Sequence, residues 1–238
     1  MPSAQQKETG EPFLISTDRQ RTDLPSLLHD IGVSNVCHLT SMHGREKVLF
    51  AEGEPARGVY ILRTGRATVS MSSSEGRVVI LRTAKPGDVL GLNSVLRNGA
   101  YDTTSKTLET CRTDFISRAH LIELMEKSHA GTQALLNLLS RELDDLTDRA
   151  KSLLLLQTAA ARMARLLLEW CNKIDFDSSG VARIDKVFTH EQLAQMICSS
   201  RETVTRLLAS LSRRNIIQIT SDSVLISDYA ALERMAQS

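Results

Sequence analysis

The chain has 238 residues, of which 42% are hydrophobic and 24% are charged, and this ordinary globular composition excludes wholesale disorder and allows two small domains. Its formal net charge is only +1, so any attraction to a polyanion must come from a local patch. No apolar run approaches the roughly 18 residues that a membrane-spanning helix needs, and residues 1–10 lack a secretory signal, so we expect a cytoplasmic protein without membrane partners.

The cysteines and the familiar catalytic motifs give little sign of chemistry. The four cysteines are Cys37, Cys111, Cys171 and Cys198, which lie far apart without a C-x-x-C pair. This spacing favours reduced packing thiols over a disulfide framework or a zinc site. The sequence also lacks the G-x-S-x-G, H-E-x-x-H and phosphate-binding glycine motifs, so we expect that the protein is not an enzyme.

The N-terminal half changes from a polar tail to a strand pattern. Residues 1–24 predict a flexible tail, followed by one or two short helices through Leu39. Short β-branched segments separated by regularly spaced glycines then predict strands at Lys47–Phe50, Gly58–Arg63, Arg66–Met71, Val78–Thr83, Thr104–Leu108 and Arg112–Ser117. The pattern is typical of an antiparallel barrel or jelly roll, and we assign residues 25–129 to this domain.

A long helix is predicted to follow, after a short helical element near His120–Glu126. It begins at about Gly131 and carries a seam with alternating spacings of four and three, at Leu139, Leu143, Leu146, Ala150, Leu153, Gln157 and Ala160. Such a seam favours a sister helix as its partner. We therefore assign residues 130–157 to a dimerisation helix and predict a homodimer through Leu139, Leu143, Leu146 and Leu153. In the alternative interpretation, the seam packs on the barrel of its own chain.

The last domain, residues 158–238, contains a predicted helix-turn-helix. Asn172–Gly180 is rich in turn residues and is interpreted as the start of a first hairpin. Thr189–Arg214, THEQLAQMICSSRETVTRLLASLSRR, contains two capping-box patterns, Thr189 with Gln192 and Ser199 with Glu202. Two helices should therefore begin here. Because the connection between them is only about two residues long, they must cross steeply.

The second helix of this pair has one apolar and one polar side. Its apolar stripe consists of Val204, Leu207, Leu208 and Leu211. The opposite side carries Arg201, Glu202, Thr205 and Arg206 near the N-terminus, which suits entry into a DNA major groove. Arginine can donate to guanine O6 and N7, and glutamate can accept from cytosine N4, so Arg201, Glu202 and Arg206 could read a half-site. In the alternative, Glu202 and Arg206 form only an exposed ion pair.

Three segments match one known pattern. They are SRETVTR at Ser200–Arg206, the glycine-punctuated Gly53–Val69, and the paired short strands Ile216–Thr220 and Val224–Ser227. Together they resemble the cyclic-AMP-receptor/fumarate-nitrate-regulator (CRP/FNR) family of bacterial transcription factors. The resemblance implies an α+β fold with an N-terminal antiparallel β-roll (a cyclic-nucleotide-binding-like jelly roll) that senses an effector, a long dimerisation helix, and a C-terminal winged helix-turn-helix that binds DNA.

The resemblance also implies specific contacts and partners. Arg201 and Arg206 would contact guanines, and Glu202 a cytosine, in a palindromic, TGTGA-like inverted repeat of double-stranded DNA. Further contacts to phosphates or marginal bases would come from Thr189, Ser200 and Thr203. A homodimer that works with RNA polymerase is implied. Cys198 stands where the family often has a glycine in the inter-helix turn, so a positive φ there would strain the backbone.

The effector pocket implied by the resemblance departs from the cyclic-nucleotide pattern. Where members that bind cyclic nucleotides have a glutamate for the ribose and an arginine for the phosphate, this chain has Leu92 and Asp102. A carboxylate repels a phosphate in a low-dielectric pocket, so we predict that cyclic AMP is not the effector. Arg97, in the same loop, is the one residue that could supply the missing charge. The candidate pocket residues are Gly91, Leu92, Asn93, Asp102, Thr103 and Thr147.

The effector itself stays unidentified at this point. The four-cysteine iron–sulfur pattern of the oxygen-sensing branch is absent, while a haem stays open through His38, His43, His120 and His129. An alternative function is a cytosolic ligand or redox sensor, with Cys198 as a candidate thiol, whose winged domain contacts a protein partner. A catalytic cupin-like roll would need a histidine and glutamate metal cluster, but the region Lys47–Ile116 contains no histidine.

Overall fold

The structure is a computed structural model that describes residues 39–156, 158–171, 182–185 and 188–237. Its N-terminal part is a β-roll of two four-stranded antiparallel sheets, with strand orders β1-β8-β3-β6 and β2-β7-β4-β5. The strands are β1 (Leu39–His43), β2 (Val48–Phe50), β3 (Gly58–Thr64), β4 (Ala67–Ser72), β5 (Val78–Ala84), β6 (Val89–Leu90), β7 (Thr104–Thr107) and β8 (Cys111–Ser117). The predicted strands are confirmed to within about one residue at each end.

Two elements of the roll differ from the sequence-based expectation. Leu39 begins strand β1, which pairs with β8, and does not end a helix; the helices predicted before it lie outside the described residues. The two-residue strand β6 and the short helix α1 (Leu92–Leu96) were not predicted, because neither is long enough to show a period.

Glycine is required at the tight turn between β3 and β4. Gly65 has φ +84°, and a Cβ added to it would lie 2.6 Å from the carbonyl oxygen of Thr110. The left-handed backbone and the close approach both exclude larger residues. Inside the roll, the apolar sides of the two sheets meet in one core, whose most buried members include Val59, Ile61, Leu62 and Ile116.

The helices that follow the roll are separated by serine and threonine caps. They are α2 (Arg118–Lys127), α3 (His129–Leu155) and α4 (Ala159–Cys171). The Ser128 hydroxyl accepts from the amide of Gly131 at the start of α3, and the Thr158 hydroxyl accepts from the amide of Ala161 at the start of α4.

The predicted continuous seam through Ala160 is therefore wrong. Leu156 has φ −86° and ψ 106°, so α3 ends at Leu155 and Ala160 lies on a different helix; Gln157 is outside the described residues. The reason is local: Thr158 caps a new helix, although the four-and-three spacing of the seam continues through this position to Ala160. The predicted seam residues Leu139, Leu143, Leu146 and Leu153 all lie on α3.

The C-terminal part is a winged helix-turn-helix. Its elements are β9 (Ala182–Asp185), α5 (His190–Met196), α6 (Arg201–Arg213), β10 (Ile217–Ile219), β11 (Ser223–Ile226) and α7 (Tyr229–Ala236). The three strands form an antiparallel sheet in the order β10-β11-β9, so the predicted wing is confirmed. The hairpin start predicted at Asn172–Gly180 lies outside the described residues.

The two halves of the molecule share a boundary strand. β5 is at the edge of its sheet, and α5 packs against it. Ile80, in the middle of β5, is only 3% exposed and belongs to the core of the helix-turn-helix part rather than to the core of the roll. The roll and the helix-turn-helix are therefore joined by packing as well as by the α3–α4 connection.

In the described ranges, no helix combines the length and apolarity needed to span a bilayer. Within the same ranges, no group of three or more histidine, cysteine or acidic residues is placed to hold a metal. The His43 ring bonds to the Thr113 hydroxyl (3.0 Å), and the His120 ring bonds to the Ser117 hydroxyl (2.8 Å).

Candidate nucleic-acid interface and ligand pocket

The first helix of the helix-turn-helix begins at the predicted capping box. The Thr189 hydroxyl accepts from the amide of Gln192 at 3.1 Å, and the Gln192 side chain accepts from the amide of Thr189 at 2.9 Å. These reciprocal bonds satisfy donors that the first helical turn leaves unpaired. They fix the start of α5 and hold Thr189 exposed at this edge of the domain.

The second helix begins one residue later than predicted. Its N-cap is Ser200, whose hydroxyl accepts from the amide of Thr203 at 3.2 Å, so the predicted box of Ser199 with Glu202 is wrong. The reason lies in the turn. Cys198 adopts φ +49°, and the amide of Ser199 donates back to the Ala194 carbonyl at 2.9 Å, which keeps Ser199 inside the turn. The strained φ expected at Cys198 is present.

Helix α6 separates its faces as the sequence predicts. Val204, Leu208 and Leu211 are buried in the core and Leu207 is half-buried. On the other side Arg201, Glu202, Thr205 and Arg206 are all exposed. The first turn and a half of α6 thus presents two guanidinium groups and one carboxylate to solvent.

Local contacts order this exposed face. Arg206 Nη2 donates to Thr203 Oγ1 at 3.3 Å, and the Thr205 hydroxyl donates to the Arg201 carbonyl at 2.9 Å. The backbone amide and the Ser200 hydroxyl, with the two arginines nearby, lower the pKa of Glu202, so its carboxylate is an ionised acceptor at neutral pH.

A contact that the sequence analysis missed joins the two helices of the motif. The His190 ring, on the first turn of α5, bonds through Nδ1 to the Thr205 hydroxyl at 2.9 Å. Its position directly after the N-cap residue Thr189 is the only sequence signal that could have indicated it. This bond places an imidazole beside the exposed face of α6.

Two arginines outside the helix-turn-helix hold the end of α5. Arg149, on α3, donates through Nη2 to the Met196 carbonyl and to the Ile80 carbonyl of β5 at 3.1 Å. Arg162, on α4, donates through Nε to the Ile197 carbonyl at 2.7 Å. Burial lowers the pKa of Arg149 from its ordinary value. Because guanidinium groups at a helix C-terminus satisfy its last carbonyls, these contacts fix the turn that leads into α6.

Sequence reasoning could not identify these arginines. Arg149 and Arg162 lie in helical segments where an arginine is most often a solvated surface residue. Only the tertiary structure brings them to Met196 and Ile197, which are 47 and 35 residues away along the chain.

A cavity of about 400 Å³ lies between the β-roll and α3. It includes the predicted pocket residues Gly91, Leu92, Asn93, Asp102 and Thr103. It is also lined by Val69, Leu81, Arg82, Leu90, Ser94, Leu139, Glu142, Leu143 and Leu146. Thr147, predicted to contact an effector, is exposed and is not among the lining residues, because one step past Leu146 turns its side chain about 100° around the helix.

At one end of the cavity, Asp102 organises the loop around α1. Its carboxylate accepts from Arg97 Nη2 (2.5 Å), Asn93 Nδ2 (3.1 Å) and the Ser94 hydroxyl (3.2 Å), and its own amide donates to the Ser94 oxygen (3.1 Å). Arg97, which the sequence left as a possible cation for a ligand phosphate, is thus paired with Asp102.

At the opposite wall, Arg82 of β5 bridges two carboxylates. Its Nη1 lies 3.0 Å from Asp88 Oδ2 and its Nη2 lies 3.7 Å from Glu142 Oε1 of α3. Burial raises the pKa of Glu142, although Arg82 opposes this effect. Neither Arg82 nor Glu142 could be recognised from the sequence, because their pairing depends on the approach of α3 to β5.

The predicted seam residues are only partly covered within one chain. Leu139 is half-buried against the roll, as the alternative interpretation requires, and Leu139, Leu143 and Leu146 line the cavity. Leu143 nevertheless remains 66% exposed, and Leu136, Leu154 and Leu155 on the same helix are also exposed. An apolar stripe on α3 is therefore left uncovered.

Comparisons with known proteins agree with this architecture. A Crp-like helix-turn-helix domain matches residues 161–235, and a cyclic nucleotide-binding domain matches residues 43–128. The CRP-like cAMP-activated global transcriptional regulator of Mycobacterium tuberculosis is 30% identical over 81% of this chain and 86% of that protein. The global nitrogen regulator of Synechocystis is 25% identical over 90% of this chain and 96% of its own. Among solved structures, FixK2 of Bradyrhizobium japonicum superimposes with a TM-score of 0.72 at 21% identity, covering 83% of this chain and 96% of that chain.

Proposed function

This chain belongs to the CRP/FNR family of transcription regulators, and from this premise we propose that it is a homodimer that reads an inverted repeat of TGTGA-like half-sites. The observation that carries the proposal is the exposed first part of α6, where Arg201, Glu202 and Arg206 face solvent together. Arginine donors suit the two acceptors of guanine, and an ionised glutamate suits the amino group of cytosine. Thr189, Ser200 and Thr203 lie next to this face and would contact phosphates, or bases at the margin of the half-site.

The dimer is formed by α3. Its uncovered stripe includes Leu143 and Leu146, and a two-fold related copy of the same helix would bury it. Two such copies present two α6 helices, whose half-site centres should lie about 34 Å apart, which is one turn of DNA. The dimer would act in the cytoplasm together with RNA polymerase, as its family membership suggests.

An effector in the cavity between the roll and α3 controls DNA binding, and that effector is not cyclic AMP. The name of the mycobacterial relative states that cyclic AMP activates that protein. In this chain, however, the Asp102 carboxylate accepts hydrogen bonds from Asn93 and Ser94 and is paired with Arg97. The cation of this loop is therefore already neutralised and does not offer a site for a phosphate. Calorimetry with millimolar cyclic AMP should therefore detect no binding.

The DNA-binding proposal is tested by mobility shift on a duplex with two TGTGA half-sites in inverted orientation, centred one helical turn apart. Arg201→Ala and Arg206→Ala should each lose about 1–3 kcal/mol on this duplex and little on a scrambled duplex. Arg213→Ala is the matched control, since Arg213 lies at the far end of α6. Equal losses on both duplexes would show that the arginines contact only phosphate, and failure of the unaltered protein to prefer the repeat would refute the proposal.

A further inference from the structure

The walls of the cavity beside α3 are mainly aliphatic. The side chains that provide this surface are Val69, Leu81, Leu90, Leu92, Leu139, Leu143 and Leu146. They come from both the roll and the long helix, so an occupant would touch both. A concave site of this kind gains most of its binding free energy from burying apolar ligand surface.

The polar groups at the loop end are already used by the chain itself. The carboxylate of Asp102 receives donors from Asn93, Ser94 and Arg97, so three groups that could bind an anionic ligand instead bind an internal anion. An incoming anion would have to displace this carboxylate and leave a charge without its hydrogen bonds, which is costly in a partly desolvated site.

The arginine on the other wall is also shared. Arg82 contacts Asp88 at 3.0 Å and Glu142 at 3.7 Å. The charged lining residues are Arg82, Asp102 and Glu142, which gives one positive and two negative formal charges. The field inside the cavity therefore disfavours phosphates, carboxylates and sulfonates.

We propose that the cavity binds an uncharged, predominantly apolar small molecule whose single polar group reaches the Arg82–Glu142 pair. The longer Arg82–Glu142 separation leaves this pair able to accept or donate one further hydrogen bond, while the aliphatic wall accommodates the body of the molecule. This inference rests on the proposed function only in treating the molecule as the effector; the binding site itself is independent of DNA.

Such a ligand would contact two elements that also support the DNA-reading part. Leu81 and Arg82 line the cavity from β5, and their neighbour Ile80 is packed in the helix-turn-helix core. Leu146 lines it from α3, three residues before Arg149. Occupation of the cavity can thus alter the position of α5 through either element, and that is the differential contact an effector needs.

The test compares two naphthalene dyes of similar size that differ in charge. The neutral dye 6-propionyl-2-dimethylaminonaphthalene should bind the full-length protein saturably, with one site per chain and at least tenfold more tightly than anionic 1-anilinonaphthalene-8-sulfonate. Leu81→Arg, which places a charge in the aliphatic wall, should weaken the neutral dye at least tenfold. A second variant, Thr103→Trp, fills the cavity without adding a charge. It should also weaken the neutral dye at least tenfold, and it keeps the test decisive if Leu81→Arg fails to fold.

The matched control is Met42→Arg, which places the same charge at an apolar residue that is 65% exposed on β1 and lies outside the cavity. It should leave the affinity for the neutral dye within twofold. Equal affinity for the two dyes, displacement of the neutral dye by millimolar cyclic AMP, or loss of binding in Met42→Arg but not in the cavity variants would overturn the inference. Binding of the dye as expected, by a protein that does not prefer the inverted repeat, would refute the proposed function alone.

Discussion

Replacing Arg149 by Met removes the guanidinium that connects α3, the edge strand β5 and the end of α5. Met keeps most of the aliphatic stem, so the change is mainly the loss of donors to the Ile80 and Met196 carbonyls. Hydrogen bonds from charged groups contribute about 1.5–3 kcal/mol each, and leaving their partners buried and unpaired has a comparable cost. The buried Nε of Arg149 has no partner among the described residues. Because Arg149→Met removes this unsatisfied donor, part of the lost stabilisation is offset. We expect a net loss of about 3 kcal/mol in the docking of α5 on β5.

Hydrogen–deuterium exchange measures this loss directly. A decrease of about 3 kcal/mol in the free energy of local opening corresponds to roughly hundredfold faster exchange of the protected amides in α5, with faster exchange in β5 as well. Arg162→Met is the informative comparison, because Arg162 donates to the carbonyls of Ile197 and Leu156, which lie outside β5; it should accelerate exchange in α5 much more than in β5. Arg141→Met, at an exposed position on α3, is the control for loss of charge. If Arg149→Met changes exchange in α5 and β5 by less than threefold, Arg149 does not hold the two parts together.

Four other outcomes are expected. Leu146→Glu should give monomer or aggregate in sedimentation, because a charge in the dimer seam costs several kcal/mol; an intact dimer would refute the seam. Cys198→Gly should raise the free energy of unfolding by about 0.5–1 kcal/mol in urea titrations, since glycine relieves the left-handed backbone at φ +49°; a decrease would show that the thiol side chain contributes more than the strain. Burial raises the pKa of Glu142 above its ordinary value of 4.5, so the folded state binds the proton more tightly and stability falls as the pH rises from about 4.5 through the raised pKa; Glu142→Gln should lose this pH-dependent decrease. Native-state alkylation followed by peptide mass mapping should modify exposed Cys198 quickly and Cys171 slowly, because burial raises the pKa of Cys171 to about 11.

Local patterns were sufficient for most of the fold. Strand segments such as Val78–Thr83 alternate with turn glycines, and the wing and the Thr189 capping box are short-range features, so the sequence predicts them within about a residue. Errors occurred where two local signals compete. Both Ser199 and Ser200 are good cap residues, and only the left-handed backbone at Cys198 decides between them.

The site was predicted in unequal parts. The exposed residues of α6 follow from helical periodicity, and the cavity residues between Gly91 and Thr103 follow from the family resemblance. The contacts of Arg82, Arg149 and Arg162 could not be predicted, because each joins elements far apart in the chain and a single sequence carries no information on that proximity. For Thr147 the error is the reverse: the family resemblance assigned it to the pocket, but it does not line the cavity, because it lies one helical step beyond Leu146.

The shared strand β5 limits how freely such regulators can exchange their parts. Consider a chimera in which the DNA-reading half of this protein, from α4 onwards, is joined to the roll and long helix of another regulator. Such a chimera lacks Ile80, which lies in β5 of the roll but belongs to the core of the DNA-reading half. The new partner would have to supply an apolar residue of similar size at the equivalent point of its own edge strand, and a long cation at the position of Arg149. In this protein, recombination at the helix break therefore preserves function only when two residues of the roll and the long helix are inherited with the DNA-reading half.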